Sequence, residues 1–154
     1  VGYQEWALSG LAFAFEVVGN MLVIASGSGR WFYQFVYGDS WPGSQSYSCH
    51  VVDDYGVQIA PARTFAFEEQ VAGILAAGLG QGLDETSVVV VGHGGYVNKA
   101  RFEDEPARHK LLDLIGDLYL SGVPISLLDV TAVASGHRTN VAAAKLLAGA
   151  VQRA

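Results

Sequence analysis

Apolar residues recur with two spacings along this chain, and each spacing predicts a different kind of element. Alternation with period two or a short apolar run predicts a strand, whereas recurrence every three or four positions predicts a helix. The predicted strands span 21–26, 30–37, 46–52, 64–67, 86–91 and 124–133, and the predicted helices span 3–18, 53–60, 68–77, 101–120 and 141–152. Strands lead, and the helices are few and long without a steady strand–helix alternation. This pattern favours a layered α+β architecture over a doubly wound sheet.

The first and last predicted helices depend on local signals. The last should begin just after Thr139 or Asn140, because either residue is a good N-cap. The segment 3–18 is rich in apolar residues, as a signal peptide is, but it lacks a basic leading region and is interrupted by Glu5 and Glu16. We therefore expect this segment to be a core helix.

The helix predicted at 101–120 carries the most informative polar pattern. At about 100° per residue its apolar residues form one broad stripe. His109, Asp113 and Asp117 lie on the opposite stripe, each four residues after the last. Side chains four apart on a helix are neighbours, so His109 and Asp113 can converge on one point, and an imidazole with a carboxylate suits zinc. For this spacing alone, a solvated helix face with one His–Asp pair is the simpler interpretation.

Composition limits the class of protein. The 154 residues correspond to one domain, and an apolar fraction of 51% provides a substantial core. A formal net charge of −6 argues against nucleic acid as the main partner. The single cysteine, Cys49, allows no internal disulfide and fits a reducing, cytoplasmic compartment. No stretch has the length and purity of a membrane span.

Several motifs follow one another in a specific order. They are Ala62-Arg63-Thr64-Phe65-Ala66-Phe67, Arg101-Phe102-Glu103-Asp104-Glu105, Arg108-His109-Lys110 and Ser135-Gly136-His137. Together they resemble the second half of the LpxC family, the zinc-dependent UDP-3-O-acyl-N-acetylglucosamine deacetylases of lipid A synthesis. The resemblance runs from about Arg30 to the C-terminus and implies a layered sheet/helix sandwich with a small β-α-β insert at roughly 67–91. Residues 1–26, the predicted N-terminal helix and strand, have no evident counterpart.

The resemblance also implies site residues. His109 and Asp113 match two zinc ligands of the family, and Lys110 matches a substrate-contacting lysine whose simpler interpretation is a solvated side chain. Asp117 and His137 match the family's carboxylate–imidazole pair. A carboxylate favours the protonated form of its partner ring, and a protonated imidazole can stabilise an oxyanion and protonate a leaving amine.

Further matches concern the substrate. Thr64 matches a hydroxyl that faces the reacting carbonyl, although an ordinary strand residue is an equal alternative. Five positions match residues of the family insert that line a passage for an acyl chain, whereas periodicity alone predicts that most of them belong to the core: Phe67, Val71, Ile74, Val88 and Val90.

The chain departs from the family at one essential feature. The first half of the family supplies a Glu-His dipeptide, in which the Glu is the general base and the His is the third zinc ligand. None of the four histidines here follows a Glu. His50 or His93 could be the third ligand, but the spacing selects neither.

The Glu-His dipeptide could belong to a first domain on a separate or removed segment, the site could be rebuilt from residues of this half, or catalysis could be lost. Two functions therefore remain open. The first is a zinc-dependent deacetylase of a nucleotide-sugar or acylated sugar that carries only part of the active site. The second is a non-catalytic module that has kept the fold for binding or assembly. Because the active face would be uncovered in either case, we expect the chain to pair with a separate first-domain chain or with a second copy of itself.

Overall fold

The computed structural model describes residues 12–17 and 19–150, and the side chains of residues 19–150. The strands are β1 (Ala12–Val17), β2 (Asn20–Ser26), β3 (Arg30–Tyr37), β4 (Gly43–His50), β5 (Thr64–Phe67), β6 (Val88–Val91) and β7 (Leu128–Val133). The helices are α1 (Val51–Asp54), α2 (Glu68–Ala76), α3 (Glu105–Tyr119) and α4 (His137–Ala150), with a π-helical turn at Tyr55–Ile59 and a 3₁₀ turn at Ile125–Leu127. No helix in this part of the chain is long and apolar enough to cross a membrane.

One five-stranded sheet forms the body, in the order β1-β2-β7-β3-β4. All neighbouring strands are antiparallel except β3 and β7, which run parallel. Side chains alternate between the two faces of β3, so that Trp31, Tyr33 and Phe35 point into the core and Val36 points outward. Helix α3 packs against β3 and β4, and α4 packs beside α3. The result is the predicted α+β layering, with one helical layer on one face of the sheet.

The apolar stripe of α3 fills the space between the layers. Leu111, Leu114 and Leu118 are fully buried, as expected from their helical spacing. Burial of each such side chain stabilises the fold by about 1.5–3 kcal/mol. Pro106 lies in the first turn of the helix, where a missing backbone N–H costs no hydrogen bond.

The prediction of an N-terminal helix is wrong where the structure describes it. Residues 12–17 form β1, an antiparallel neighbour of β2, and the rest of the predicted helix lies outside the described residues. Val17 pairs with Asn20, so the hairpin loop has two residues, and Gly19 takes a φ of +79° there. The tight turn permits pairing with β2, and this pairing outweighs the local helical pattern. The strand predicted at 21–26 is confirmed as β2.

The last helix begins earlier than predicted, at His137. Asn140 is inside its first turn and donates its backbone N–H to Gly136 O at 2.9 Å, so neither Asn140 nor Thr139 is the N-cap. The side-chain amide of Asn140 instead binds a carboxylate on α3. This tertiary contact, which is invisible in the local sequence, explains why the cap prediction fails.

The predicted β-α-β insert is present as β5, α2 and β6. The two strands are parallel neighbours, with Thr64 opposite Val88 and Phe67 opposite Val91. None of the side chains of α2 is fully buried, so the insert leaves that helix on the surface. It forms a separate two-stranded sheet beside the main body.

A buried ion pair joins the insert to α3. Arg63 binds Glu105 through two parallel hydrogen bonds, Nε to Oε1 at 2.8 Å and Nη2 to Oε2 at 3.0 Å, and the carboxylate also accepts from the backbone N–H of Arg101. The guanidinium donates further to the backbone carbonyls of Glu85 and Lys99. Burial alone would raise the pKa of Glu105, but the hydrogen bonds from Arg63 and the backbone outweigh it and hold the pKa below its usual value.

Candidate active site

His109, Asp113 and Asp117 lie along one face of α3, as their spacing predicted. Their side chains are only 17%, 18% and 13% exposed, so this face is not the solvated stripe of the simpler interpretation. His109 Nε2 lies 3.5 Å from Asp113 Oδ1. The helix thus brings one imidazole nitrogen and one carboxylate oxygen towards a common point.

The orientation of the His109 ring is set from outside the helix. Its Nδ1 lies 3.2 Å from the carbonyl oxygen of Ala62, and because a carbonyl only accepts, Nδ1 must carry the proton in this contact. The lone pair of the neutral ring is then on Nε2, the atom that faces Asp113. The ring of Phe65 meets the imidazole edge to face, with centroids 6.3 Å apart. A backbone carbonyl that fixes the tautomer is a recurrent feature of zinc-binding histidines.

The distance between these atoms fits a shared metal ion. Two ligand atoms, each about 2.0–2.2 Å from one tetrahedral zinc, lie about 3.4 Å apart, close to the 3.5 Å between His109 Nε2 and Asp113 Oδ1. Among residues 12–17 and 19–150, however, no third His, Cys, Asp or Glu joins them in a metal-binding group. His50 instead pairs with Asp53, its Nδ1 lying 2.9 Å from Oδ2.

His93, the other candidate for a third ligand, lies in an exposed loop. It lines a cavity of about 190 Å³ together with Tyr37, Trp41 and Glu69. The structure therefore leaves both histidines outside the His109–Asp113 pair. The two predicted ligands are neighbours on α3, whereas both candidates for the third ligand lie away from them.

His137 lies beside this pair, at the start of α4. Its Nδ1 is 2.8 Å from Asp117 Oδ2, and its Nε2 is 3.8 Å from Asp113 Oδ2. The side chain is 65% exposed, so Nε2 is accessible from solvent. Asp117 Oδ2 also accepts a hydrogen bond of 3.0 Å from Asn140 Nδ2. A carboxylate thus orients an exposed imidazole next to the candidate metal ligands.

The loop before His137 is held by β3. The hydroxyl of Tyr33 donates to Ser135 O, and the backbone N–H of Ala134 donates to Gln34 O at 2.9 Å. Burial, with a smaller contribution from the charge of Asp113, raises the pKa of Tyr33 to about 12, so its hydroxyl stays protonated as a donor. The sequence predicted a strand at 30–37 but did not single out Tyr33. Sequence patterns also missed the contact of Asn140, although its spacing of three from His137 places the two on one helix face.

Thr64 and Lys110 flank the same region. Thr64 is exposed at the start of β5, between Ala62 and Phe65, both of which contact His109. The ammonium of Lys110 donates to Asp113 Oδ2 at 3.1 Å. Lys110 is therefore paired with a candidate metal ligand instead of being a freely solvated side chain. The role of each residue towards a substrate stays a prediction.

Four of the five predicted acyl-passage residues line one cavity of about 180 Å³ in the insert. They are Val71, Ile74, Val88 and Val90. The intervening Val89 and Val91 are buried on the other side of β6, as period-two alternation requires. Phe67 is separate from this group, because its ring stacks on Tyr37 with centroids 3.9 Å apart. That an acyl chain occupies the cavity stays a prediction.

Comparison with known proteins gives a consistent result. The family model described as "LpxC: UDP-3-O-acyl N-acetylglycosamine deacetylase" matches residues 20–149. The UDP-3-O-acyl-N-acetylglucosamine deacetylase of Chlamydia trachomatis serovar D is 41% identical over 102 residues, which are 65% of this chain and 35% of that protein. The enzymes of that name from Chlamydia pneumoniae (40% over 102 residues, 65% and 36%) and Chlamydia abortus (44% over 92 residues, 58% and 32%) are also similar. The chain spans about a third of the length of these relatives.

Proposed function

Because the chain belongs to the LpxC family, we propose that it carries the acid–base part and two zinc ligands of a deacetylase site. The substrate would be a UDP-3-O-acyl-N-acetylglucosamine-like molecule of lipid A synthesis, as the names of the relatives suggest. The observation that carries the proposal is the His109 Nε2–Asp113 Oδ1 distance of 3.5 Å, with the ring tautomer set by Ala62. The lone Cys49 thiol, which is buried, supports a cytoplasmic location for this activity.

The residues of this chain would have two separate roles, metal binding and proton transfer. His109 and Asp113 would hold zinc, which when bound supplies a positive charge that polarises an acyl carbonyl and makes water a better nucleophile. His137 directs Nε2 towards the same region while Asp117 accepts from Nδ1, so Nε2 is the atom that would exchange a proton with substrate. As an imidazolium, His137 would stabilise the developing oxyanion and then protonate the leaving amine.

The remaining chemistry would come from the rest of a family site. The exposed hydroxyl of Thr64 would face the reacting carbonyl, and the cavity lined by Val88 and Val90 would take the acyl chain. The family's Glu-His dipeptide would supply the general base and a third ligand. In this proposal both come from a first domain, which the greater length of the relatives accommodates.

An apolar groove on α3 supports such an assembly. It has a volume of about 480 Å³ and is lined by Val51, Val52, Tyr55, Leu112, Ile115, Gly116, Tyr119 and Ile125. Tyr119, at its edge, is 68% exposed, and Gly116 leaves room for a close backbone approach. The groove is on the same helix as the His109–Asp113 pair, and we propose that one domain covers both. We propose a first domain as the occupant, burying on the order of 1,000 Å² or more.

Zinc titration tests the proposed site directly. Calorimetry on the purified chain should show zinc binding that His109→Ala abolishes and Asp113→Asn weakens strongly, because each change removes one of the two ligand atoms. His93→Ala is the matched control and should bind as the unsubstituted chain does, since His93 lies in a different cavity. Unchanged zinc affinity in His109→Ala would refute the assignment.

A second function, a non-catalytic binding or assembly module, is favoured by one observation. Within the described ranges, no group of three His, Cys, Asp or Glu side chains with metal-binding geometry includes the His109–Asp113 pair. The two functions are separated by incubating the zinc-loaded chain with UDP-3-O-acyl-N-acetylglucosamine, alone and with an added first domain. Turnover that His137→Ala abolishes would exclude the non-catalytic module, whereas the absence of turnover in both mixtures would support it.

A further inference from the structure

One oxygen of Asp117 accepts two hydrogen bonds. Oδ2 lies 2.8 Å from His137 Nδ1 and 3.0 Å from Asn140 Nδ2. Asn140 is 1% exposed, although His137, one helical turn earlier, is largely exposed. The amide of Asn140 is hydrogen-bonded to Asp117 and not to His109 or Asp113, the candidate zinc ligands. None of the roles proposed above involves it.

The carboxylate determines which way the amide of Asn140 lies. A carboxylate only accepts, so the amide nitrogen must face Asp117 and the amide oxygen must point away. There Oδ1 is buried and has no hydrogen-bond partner among the described residues. A buried carbonyl without a partner disfavours folding, and an apolar side chain of the same shape would avoid that cost. Packing alone therefore does not explain an asparagine at this position.

We propose that Asn140 is a positioning residue that holds Asp117 Oδ2 against His137 Nδ1. The inference rests on the proposed acid–base role of His137. The N–H of Asn140 occupies one lone-pair direction of Oδ2 and keeps this oxygen from turning towards solvent. The other direction stays available for His137 Nδ1, so the neutral ring carries its proton there and leaves Nε2 free on the side of Asp113.

The backbone just before His137 is held by a separate contact. The hydroxyl of Tyr33 holds the carbonyl of Ser135, two residues before His137. Strand β3 therefore restrains the backbone near His137, whereas Asp117 restrains the imidazole ring. Loss of the Asn140 contact should free the imidazole without moving its backbone, and this separation makes the inference testable.

Asn140→Leu is the decisive variant, because leucine has a similar shape and cannot donate. In the metal-free chain at alkaline pH, two-bond ¹H–¹⁵N NMR reports which ring nitrogen of His137 carries the proton. We expect a single Nδ1–H tautomer in the unsubstituted chain and a mixture of tautomers in Asn140→Leu. The free energy of unfolding in urea should be unchanged or higher in the variant. Thr139→Ala, at the neighbouring position in the same turn of α4, should change neither quantity.

An unaltered His137 tautomer together with a lower free energy of unfolding would show that Asn140 is merely structural, and the inference would be overturned. Asn140→Ala gives the same ring measurement if the leucine variant does not fold. Where the zinc-loaded protein turns over substrate, Asn140→Leu should lower kcat roughly 10- to 100-fold with KM unchanged. Absence of turnover in the unsubstituted protein would refute the proposed function, whereas the ring measurement would still decide the role of Asn140.

Discussion

Helix α3 carries charged residues in two regions that differ in burial and in hydrogen bonding. At its N-terminal end, the side chains of Glu105 and its partner Arg63 are 0% and 5% exposed, and Glu105 accepts hydrogen bonds on both oxygens. One to three turns later, the side chains of His109, Asp113 and Asp117 are 17%, 18% and 13% exposed, and two of the contacts at Asp113 are longer than a hydrogen bond.

The contrast separates residues that hold the fold from residues that are able to react. The Arg63–Glu105 pair is buried and bidentate, and its polar atoms are already bonded to each other and to backbone groups. It therefore connects the insert to α3 and does not serve as a ligand-binding group. His109 Nε2 and His137 Nε2 face carboxylate oxygens at 3.5 and 3.8 Å, which is too long for a direct hydrogen bond. Such spacing leaves room for an ion or a substrate group.

The largest effect on stability should come from Glu105→Ala. Removing this carboxylate leaves the Arg63 guanidinium buried with backbone partners only, and breaking a buried pair typically costs about 3–5 kcal/mol. Urea denaturation of the chain would measure the loss. Glu103→Ala is the matched control on the exposed segment just before α3, and it should change the free energy of unfolding by less than about 0.5 kcal/mol.

His109→Ala should show the opposite behaviour, losing zinc binding with little change in stability. Equal destabilisation by Glu105→Ala and His109→Ala would contradict the separation of the two regions.

The pH dependence of stability should come from the same end of the helix. The pKa of Glu105 is lowered in the folded chain, so its contribution is complete above its unfolded pKa of about 4.3 and is lost as the pH falls through the lower folded value. We expect the free energy of unfolding to fall with acidification below about pH 4.3. In Glu105→Gln the fall should be shallower, because that residue no longer takes up a proton on unfolding. Parallel pH profiles for the two proteins would show that Glu105 does not carry this dependence.

The smallest effect on stability should come from Tyr119→Lys, at the rim of the apolar groove. Tyr119 is 68% exposed, so the change removes little buried area from the chain itself. It should nevertheless prevent association with a first domain, because it places a charge in the proposed interface. Light scattering of the mixture would measure the complex. Val36→Lys, on the outward face of β3, is the control and should leave association intact.

Association that survives Tyr119→Lys would place the interface elsewhere. Self-association of the unsubstituted chain that this change abolishes would instead identify a second copy as the occupant of the groove.

Several predictions from the sequence depended on short-range periodicity, and these are confirmed. The apolar stripe of α3 and the strand β3 each have a pattern that is complete within one element, whereas the β-α-β insert was implied by the family resemblance. The failures involve partners outside the segment whose structure was predicted. Residues 12–17 are a strand because they pair with β2, and α4 begins at His137 although Asn140 is a good N-cap, because the amide of Asn140 binds Asp117.

The sequence by itself determined the α+β class, the placement of His109, Asp113 and Asp117 on one helix face, and the membership of the family. These follow from helical geometry and from motifs that lie within continuous segments. Only the tertiary structure decided the tautomer of His109, which depends on the Ala62 carbonyl 47 residues away in sequence, and the pairing of His137 with Asp117, 20 residues apart. It also decided that neither His50 nor His93 joins the predicted ligands. The orientation of a side chain depends on the atoms that surround it, and those atoms come from distant parts of the chain.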